Sequence, residues 1–181
     1  EAQALAIRQR EILETAASAL KCRPEEVVPR VEALQGEIRA SRTELDKSKQ
    51  QDFDKFVEHW IDEEITAYRE VIDGVGLVAK RVRNMSPDDL RTFADRALEA
   101  IQSGIVVLGC EYEGRAHLAA RVSNDLVKTG YHAGNLIREV AKIAGGGGGG
   151  RPDFAQAGGK NPERLDEALA KARELVASQK G

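Results

Sequence analysis

The apolar positions in the first third of the chain repeat at helical spacing. Leu5, Ile12, Ala16 and Leu20 fall on one helical face. Arg23-Pro24-Glu25-Glu26 then predicts a break and a restart, with proline in a first turn and acids facing the positive end of a helix. Pro29 marks a second candidate restart. From Val27 the series Val27, Val31, Leu34, Ile38, Ser41 and Leu45 has the spacing of a heptad seam. About three heptads are too few for a long rod, so the pattern predicts a helical hairpin or a helix laid on a partner. Such a seam fits an internal core or a dimer interface. A third, separate helical stretch is expected over 46–66, where Phe53, Val57, Trp60, Ile61 and Ile65 form a broad apolar stripe. Trp60, the only tryptophan, reads as a core anchor, with an exposed interface anchor as the alternative.

The pattern changes near Arg69. Val71-Ile72 and Val75 to Val82, with Gly74 and Gly76 between, predict strands joined by a tight turn. Ser86-Pro87-Asp88-Asp89 is a helix start, and Leu90, Phe93, Ala97, Leu98 and Ile101 give that helix its buried face. Ile105 to Leu108 is a continuous apolar run, as in a strand covered on both faces. Glu111 to Gly114 predicts a turn, with Ala116 to Val122 returning as the second arm of a hairpin. A partly helical loop at 123–131 leads to a helix carrying Ala133, Leu136, Ile137, Val140 and Ala144. A final helix carries Leu165, Leu169, Ala172 and Val176. The expected fold is α+β: a small mixed sheet packed with helices (67–181), preceded by a helical subdomain, a short coiled coil or helical hairpin (1–66).

Charge alters this picture only locally. The net charge is −3. Between Lys128 and Arg164, however, six basic residues (Lys128, Arg138, Lys142, Arg151, Lys160, Arg164) face three acids (Glu139, Asp153, Glu163). A nucleic-acid partner would therefore meet a local patch. No run approaches the roughly 18 apolar residues of a membrane span. Cys22 and Cys110 stand in different units without metal-ligand spacing, as in a reducing cytoplasmic setting. The start at Glu1 suggests an excised piece, and Lys180-Gly181 suggests a natural end.

Within the basic window lie six consecutive glycines, Gly145 to Gly150. A linker is disfavoured, because only one helix follows. The run reads either as a packing loop or as a loop whose bare N–H groups cradle an anion beside Arg151 and Lys160. It is not a nucleotidase phosphate loop, because no Gly-Lys-Ser/Thr follows.

The stretch Ser123 to Lys128, Ala133-Gly134, and the glycine run followed by Arg151-Pro152-Asp153-Phe154-Ala155-Gln156-Ala157-Gly158-Gly159-Lys160 resembles the DHH-associated domain that ends alanyl-tRNA synthetases. The likeness is strong over 105–178, and 69–102 fits the same domain. Members of that family often interrupt the glycine run with Lys or Ser. This chain keeps glycine, which shifts weight to the backbone and Arg151. The resemblance implies a homodimeric piece that holds the elbow of alanine tRNA. Its expected RNA contacts are Lys128, Gly146, Gly147, Gly148, Gly149, Arg151, Gln156 and Lys160. Its expected dimer contacts are Val31, Leu34, Ile38, Leu45 and Trp60. ATP, Mg and zinc would belong to the parent enzyme, with no cofactor in this piece. Rival readings are an oligomerisation module without RNA contact, the nucleotide-binding tail of a DHH-type phosphoesterase, and a domain adapted to another partner such as DNA.

A catalytic centre is not expected. His59, His117 and His132 have neither metal-ligand spacing nor a triad arrangement. The Asp-His-His cluster of the phosphoesterases and the zinc-type editing motifs of the synthetases are both missing from the sequence.

Overall fold

The computed structural model describes residues 2–83 and 85–178; the expected end at Lys180-Gly181 lies outside them. The chain divides into two compact units, residues 1–52 and 53–181.

The first unit is helical. Helix α1 (Ala2–Leu20) is followed by a 3-10 turn (Pro24–Glu26), and α2 (Val27–His59) begins directly after it. The turn is closed by the Arg23 backbone N–H donating to Glu26 and by an Arg23–Glu26 ion pair of 2.7 Å. The Arg23 hydrogen bonds hold the Glu26 carboxyl below its ordinary pKa. Pro29 causes no second restart, since it sits in the first turn of α2, where its missing N–H costs nothing. The polar stretch 46–52 likewise does not interrupt α2. The apolar residues of both helices stay largely on the surface: Leu5, Ile12, Val31, Ile38 and Leu45 are exposed and Leu34 is half-buried.

The second unit takes in the end of α2, a π turn (Trp60–Glu64) and α3 (Ile65–Tyr68). Residues 53–66, assigned from the sequence to the helical segment, carry part of its core. Strands β1 (Arg69–Ile72), β2 (Val75–Arg83), β3 (Ile105–Tyr112), β4 (Arg115–Val122), β5 (Gly146–Gly150) and β6 (Phe154–Gly159) form one mixed sheet in the order β1-β2-β3-β4-β6-β5. Only β2 and β3 pair in parallel. A parallel pair needs a crossover, which α4 (Pro87–Ile101) supplies. Ser86 caps α4 as expected, its hydroxyl accepting from the Asp89 N–H at 3.2 Å. The remaining helices are α5 (Asn124–Lys128), α6 (Ala133–Ile143) and α7 (Leu165–Ser178).

The sheet is covered on both faces, which is why β3 reads as an unbroken apolar run. Ile105 and Val107 turn towards α6 and α7 with Leu118, Ile137 and Leu165. Val106, Leu108 and Cys110 turn towards α4 with Phe93, Leu90, Val57 and Trp60. Burial pushes the Cys110 thiol up to about 11, so it packs as a small apolar group.

Two expectations are corrected here. Trp60 is not a dimer anchor: it is 2% exposed, edge-on to Phe93 at 4.9 Å and stacked on Tyr68 at 6.1 Å. The glycine run is not a loop: after a left-handed turn at Gly145 (φ 68°), Gly146 to Gly150 form a strand at the edge of the sheet. Trp60→Ala should therefore lower stability by about 3–5 kcal/mol. A urea melt measures that loss, and sedimentation of the folded variant should show its association state unchanged.

Candidate nucleic-acid interface

A glycine costs roughly 0.5–1 kcal/mol more than alanine inside a regular element, so five in one strand need a reason. Packing supplies it at alternate positions. A Cβ at Gly146 would strike the Gly158 carbonyl oxygen, one at Gly148 would strike Ala157 and the Gln156 carbonyl oxygen, and one at Gly150 would strike Phe154 and Ala155. At Gly147 a Cβ would meet nothing within 4 Å, and at Gly149 only the Arg138 guanidinium, at 4.0 Å. These two positions open onto shallow clefts. One, of about 370 Å³, is lined by Pro87, Leu90, His117, Gly147, Gln156 and Gly158. The other, of about 310 Å³, is lined by Arg91, Gly149, Gly150, Arg151, Phe154 and Gln156.

The hairpin tip is held by main-chain bonds. Ala133 N–H donates to the Pro152 carbonyl (2.8 Å), Gly134 N–H to that of Arg151 (3.2 Å), and Val122 N–H to that of Asp153 (3.0 Å). The first N–H groups of α6 are thereby spent on the turn. His132 caps the same helix, its Nδ1 accepting from Asn135 N–H at 3.3 Å.

The expected contacts are only partly brought together. Gly149 and Arg151 line one cleft together, and Gly147 lines the neighbouring one. Gln156 lines both clefts, but its amide already donates to the Pro87 carbonyl at 3.3 Å. Gly146 and Gly148 belong to the packing, not to the open positions. Lys160 follows β6 at the end where Gly159 pairs with Gly146, whereas Arg151 follows Gly150. One five-residue ladder at about 3.4 Å per residue separates them, roughly 17–20 Å. Lys128 is exposed on the last turn of α5, which is not among the elements packed on the hairpin.

Two cations not singled out from the sequence stand here instead. Arg91, on α4, is exposed and has no carboxylate partner among the described residues; its guanidinium lies over the Phe154 ring at 5.0 Å. Arg138, on α6, is exposed, and among the described residues its guanidinium hydrogen-bonds only to Asn135, at 3.4 Å. Arg151 is paired with Asp153 at 3.1 Å. Burial works to raise the Asp153 pKa, but the Arg151 hydrogen bonds, its own N–H and the charges of Arg151 and Arg121 outweigh it and hold the carboxyl low. A larger cleft of about 1130 Å³ lies between β2, the β3–β4 turn and α7. Two of the four cations that line it are paired with acids, Arg81 with Asp166 and Glu111 and Arg173 with Glu70, while Lys80 lies over the Tyr68 ring at 3.2 Å. Among the described residues no group of three or more His, Cys, Asp or Glu is placed to hold a metal, and no helix is long and apolar enough to cross a membrane.

Comparison with known proteins gives concordant matches. A family model described as the DHHA1 domain matches residues 74–178. The alanine–tRNA ligase of Alkaliphilus metalliredigens is 42% identical over 172 residues, 95% of this chain and 19% of that protein. That of Natranaerobius thermophilus is 40% identical over 169 residues, 93% of this chain and 19% of that protein. The crystal structure of the C-Ala domain from Aquifex aeolicus alanyl-tRNA synthetase superposes with a TM-score of 0.55 at 30% identity, covering 60% of this chain and 96% of that one. The chain thus spans about a fifth of the length of the curated relatives it matches.

The alternation in the glycine strand sets a direct contrast. Gly148→Ala should destabilise by about 1–3 kcal/mol, because β6 backbone must move. Gly147→Ala should be neutral or stabilise by up to about 1 kcal/mol. Thermal melts of the two variants side by side check the ordering.

Proposed function

The chain belongs to the DHHA1 domain family, and from that premise we propose that it is the tRNA-binding and dimerising C-terminal part of an alanine–tRNA ligase, without a catalytic centre of its own. Its task is to hold the elbow of the tRNA while other parts of the parent perform aminoacylation with ATP and Mg, and zinc-dependent editing, in the cytoplasm.

One observation carries the RNA reading. Gly147 and Gly149 lack side chains although nothing in the chain forbids them; Arg91 and Arg151 line the cleft at Gly149, and the Arg138 guanidinium lies 4.0 Å from where a Cβ on Gly149 would be. Bare main chain admits a bulky ligand closely, and guanidinium groups suit phosphate oxygens. The surrounding chain is acidic, so binding is confined to this face and non-specific attraction stays low. RNA is recognised largely through shape, which an open strand edge without side chains suits.

The dimer reading rests on the first unit. Val31, Ile38 and Leu45, one heptad apart, are 37%, 64% and 54% exposed. Apolar residues at that spacing on a surface helix fit the seam of a helical pair. The oligomerisation module without RNA contact is the rival that this same face supports, and the RNA titration separates the two.

Arg91→Glu with Arg138→Glu should weaken tRNA binding and reduce its salt slope by roughly two. Anisotropy titrations at two salt concentrations read both quantities, and an unchanged slope removes these residues from the site. Gly147→Ala should bind tRNA more weakly while melting at or above the parent temperature. Ile38→Asp should shift sedimentation towards monomer with the helical signal of the second unit retained; a fully associated variant would clear that face of a dimer role.

A further inference from the structure

Arg151 is not free in this structure. Its Nε and Nη2 donate to the two carboxylate oxygens of Asp153, both at 3.1 Å. That is the two-pronged geometry with which a guanidinium grips phosphate. The exposures of the partners differ: the Arg151 side chain is 71% exposed and that of Asp153 34%. The carboxylate is also tied down on its other side. Arg121 approaches it at 3.5 Å, and Arg121 is itself held by Asp95 at 2.8 Å. The backbone of 151–153 is fixed by the three hydrogen bonds from Val122, Ala133 and Gly134. The acid is thus part of the rigid turn, whereas the arginine is the movable partner.

The cleft beside this pair contains Gly149, Gly150 and Arg91. A phosphate entering it finds Arg91 without a carboxylate but Arg151 already occupied. It must take the Arg151 fork from Asp153 and then lie near a negative charge that the turn does not let withdraw.

We infer that Asp153 is a built-in competitor for the RNA phosphate, a positioning residue that keeps Arg151 neutralised and so limits how tightly this face takes a polyanion. The inference rests on the RNA reading proposed above. It gives Asp153 a role opposite to that of a contact residue: its removal improves binding. A purely structural staple for the turn would behave differently, since its loss would lower stability and leave affinity equal or poorer.

The test is a double-mutant cycle on the 181-residue chain, with an alanine tRNA transcript titrated at two salt concentrations. Asp153→Asn should tighten binding by about three- to fivefold, within the energy of a surface ion pair, and should steepen the salt dependence. Arg151→Ala should weaken binding. Adding Asp153→Asn to Arg151→Ala should then change affinity by less than about twofold, because the competitor has nothing left to occupy. A gain that survives in the Arg151→Ala background would reflect net charge alone and overturn the inference, as would no gain in the single variant, with the RNA reading intact in both cases. If the parent chain itself shows no salt-dependent binding, the RNA reading falls and the competitor with it. Asp153→Ser, which keeps a turn-compatible side chain, takes the place of Asp153→Asn should the latter melt well below the parent.

Discussion

The closeness of main chain to main chain at the far edge of the sheet governs the second unit. The carbonyl of Gly150 lies where a side chain on Gly134 would have to be, and that of Ala144 where one on Gly159 would be. Helix α6 and the hairpin β5–β6 can meet at that distance only because these positions carry hydrogen. The small residues of β6 and the alanines of α6 serve the same approach. Leu136, Ile137 and Val140 of α6 anchor this edge in the core shared with α7 and the central strands, while the contact of α6 with the hairpin itself is made by backbone and small residues.

Much of the fold could be read along the chain, for reasons that particular residues make plain. Ser86-Pro87 marks a helix start because the side-chain oxygen and the fixed φ act locally. The run from Ile105 is recognisable because both of its faces are apolar. The glycine strand was not legible as a strand. Glycine has low strand propensity and leaves no alternation to detect, so its pairing is decided by Phe154 to Gly159 and not by its own composition. The continuity of α2 was hidden for a related reason: its polar middle shows no periodic stripe, while its ends do.

The candidate site could be anticipated in part. Arg151 and the open glycines were found because they are neighbours in sequence. Arg91 and Arg138 come from two helices on separate elements, and each looks like an ordinary charge on a polar helix face until the sheet brings both to the same hairpin. Lys160 illustrates the converse. It seemed to flank the glycines, but a strand sends the two ends of a short run to opposite ends of the sheet, whereas a loop would have returned them together.

An outer strand with no side chains also bears on solubility. Sheets commonly defend such borders with lysine, proline or a bulge, since a free row of peptide groups recruits further strands. Here the border strand has none of these on its own residues. The defence comes from beside it: the exposed cations Arg91 and Arg138, with no carboxylate partner among the described residues, stand next to that border and disfavour the approach of a second copy carrying the same charges. The charges that suit a polyanion thus also keep like molecules from zipping together, and glycine's loose backbone makes such an addition still less favourable.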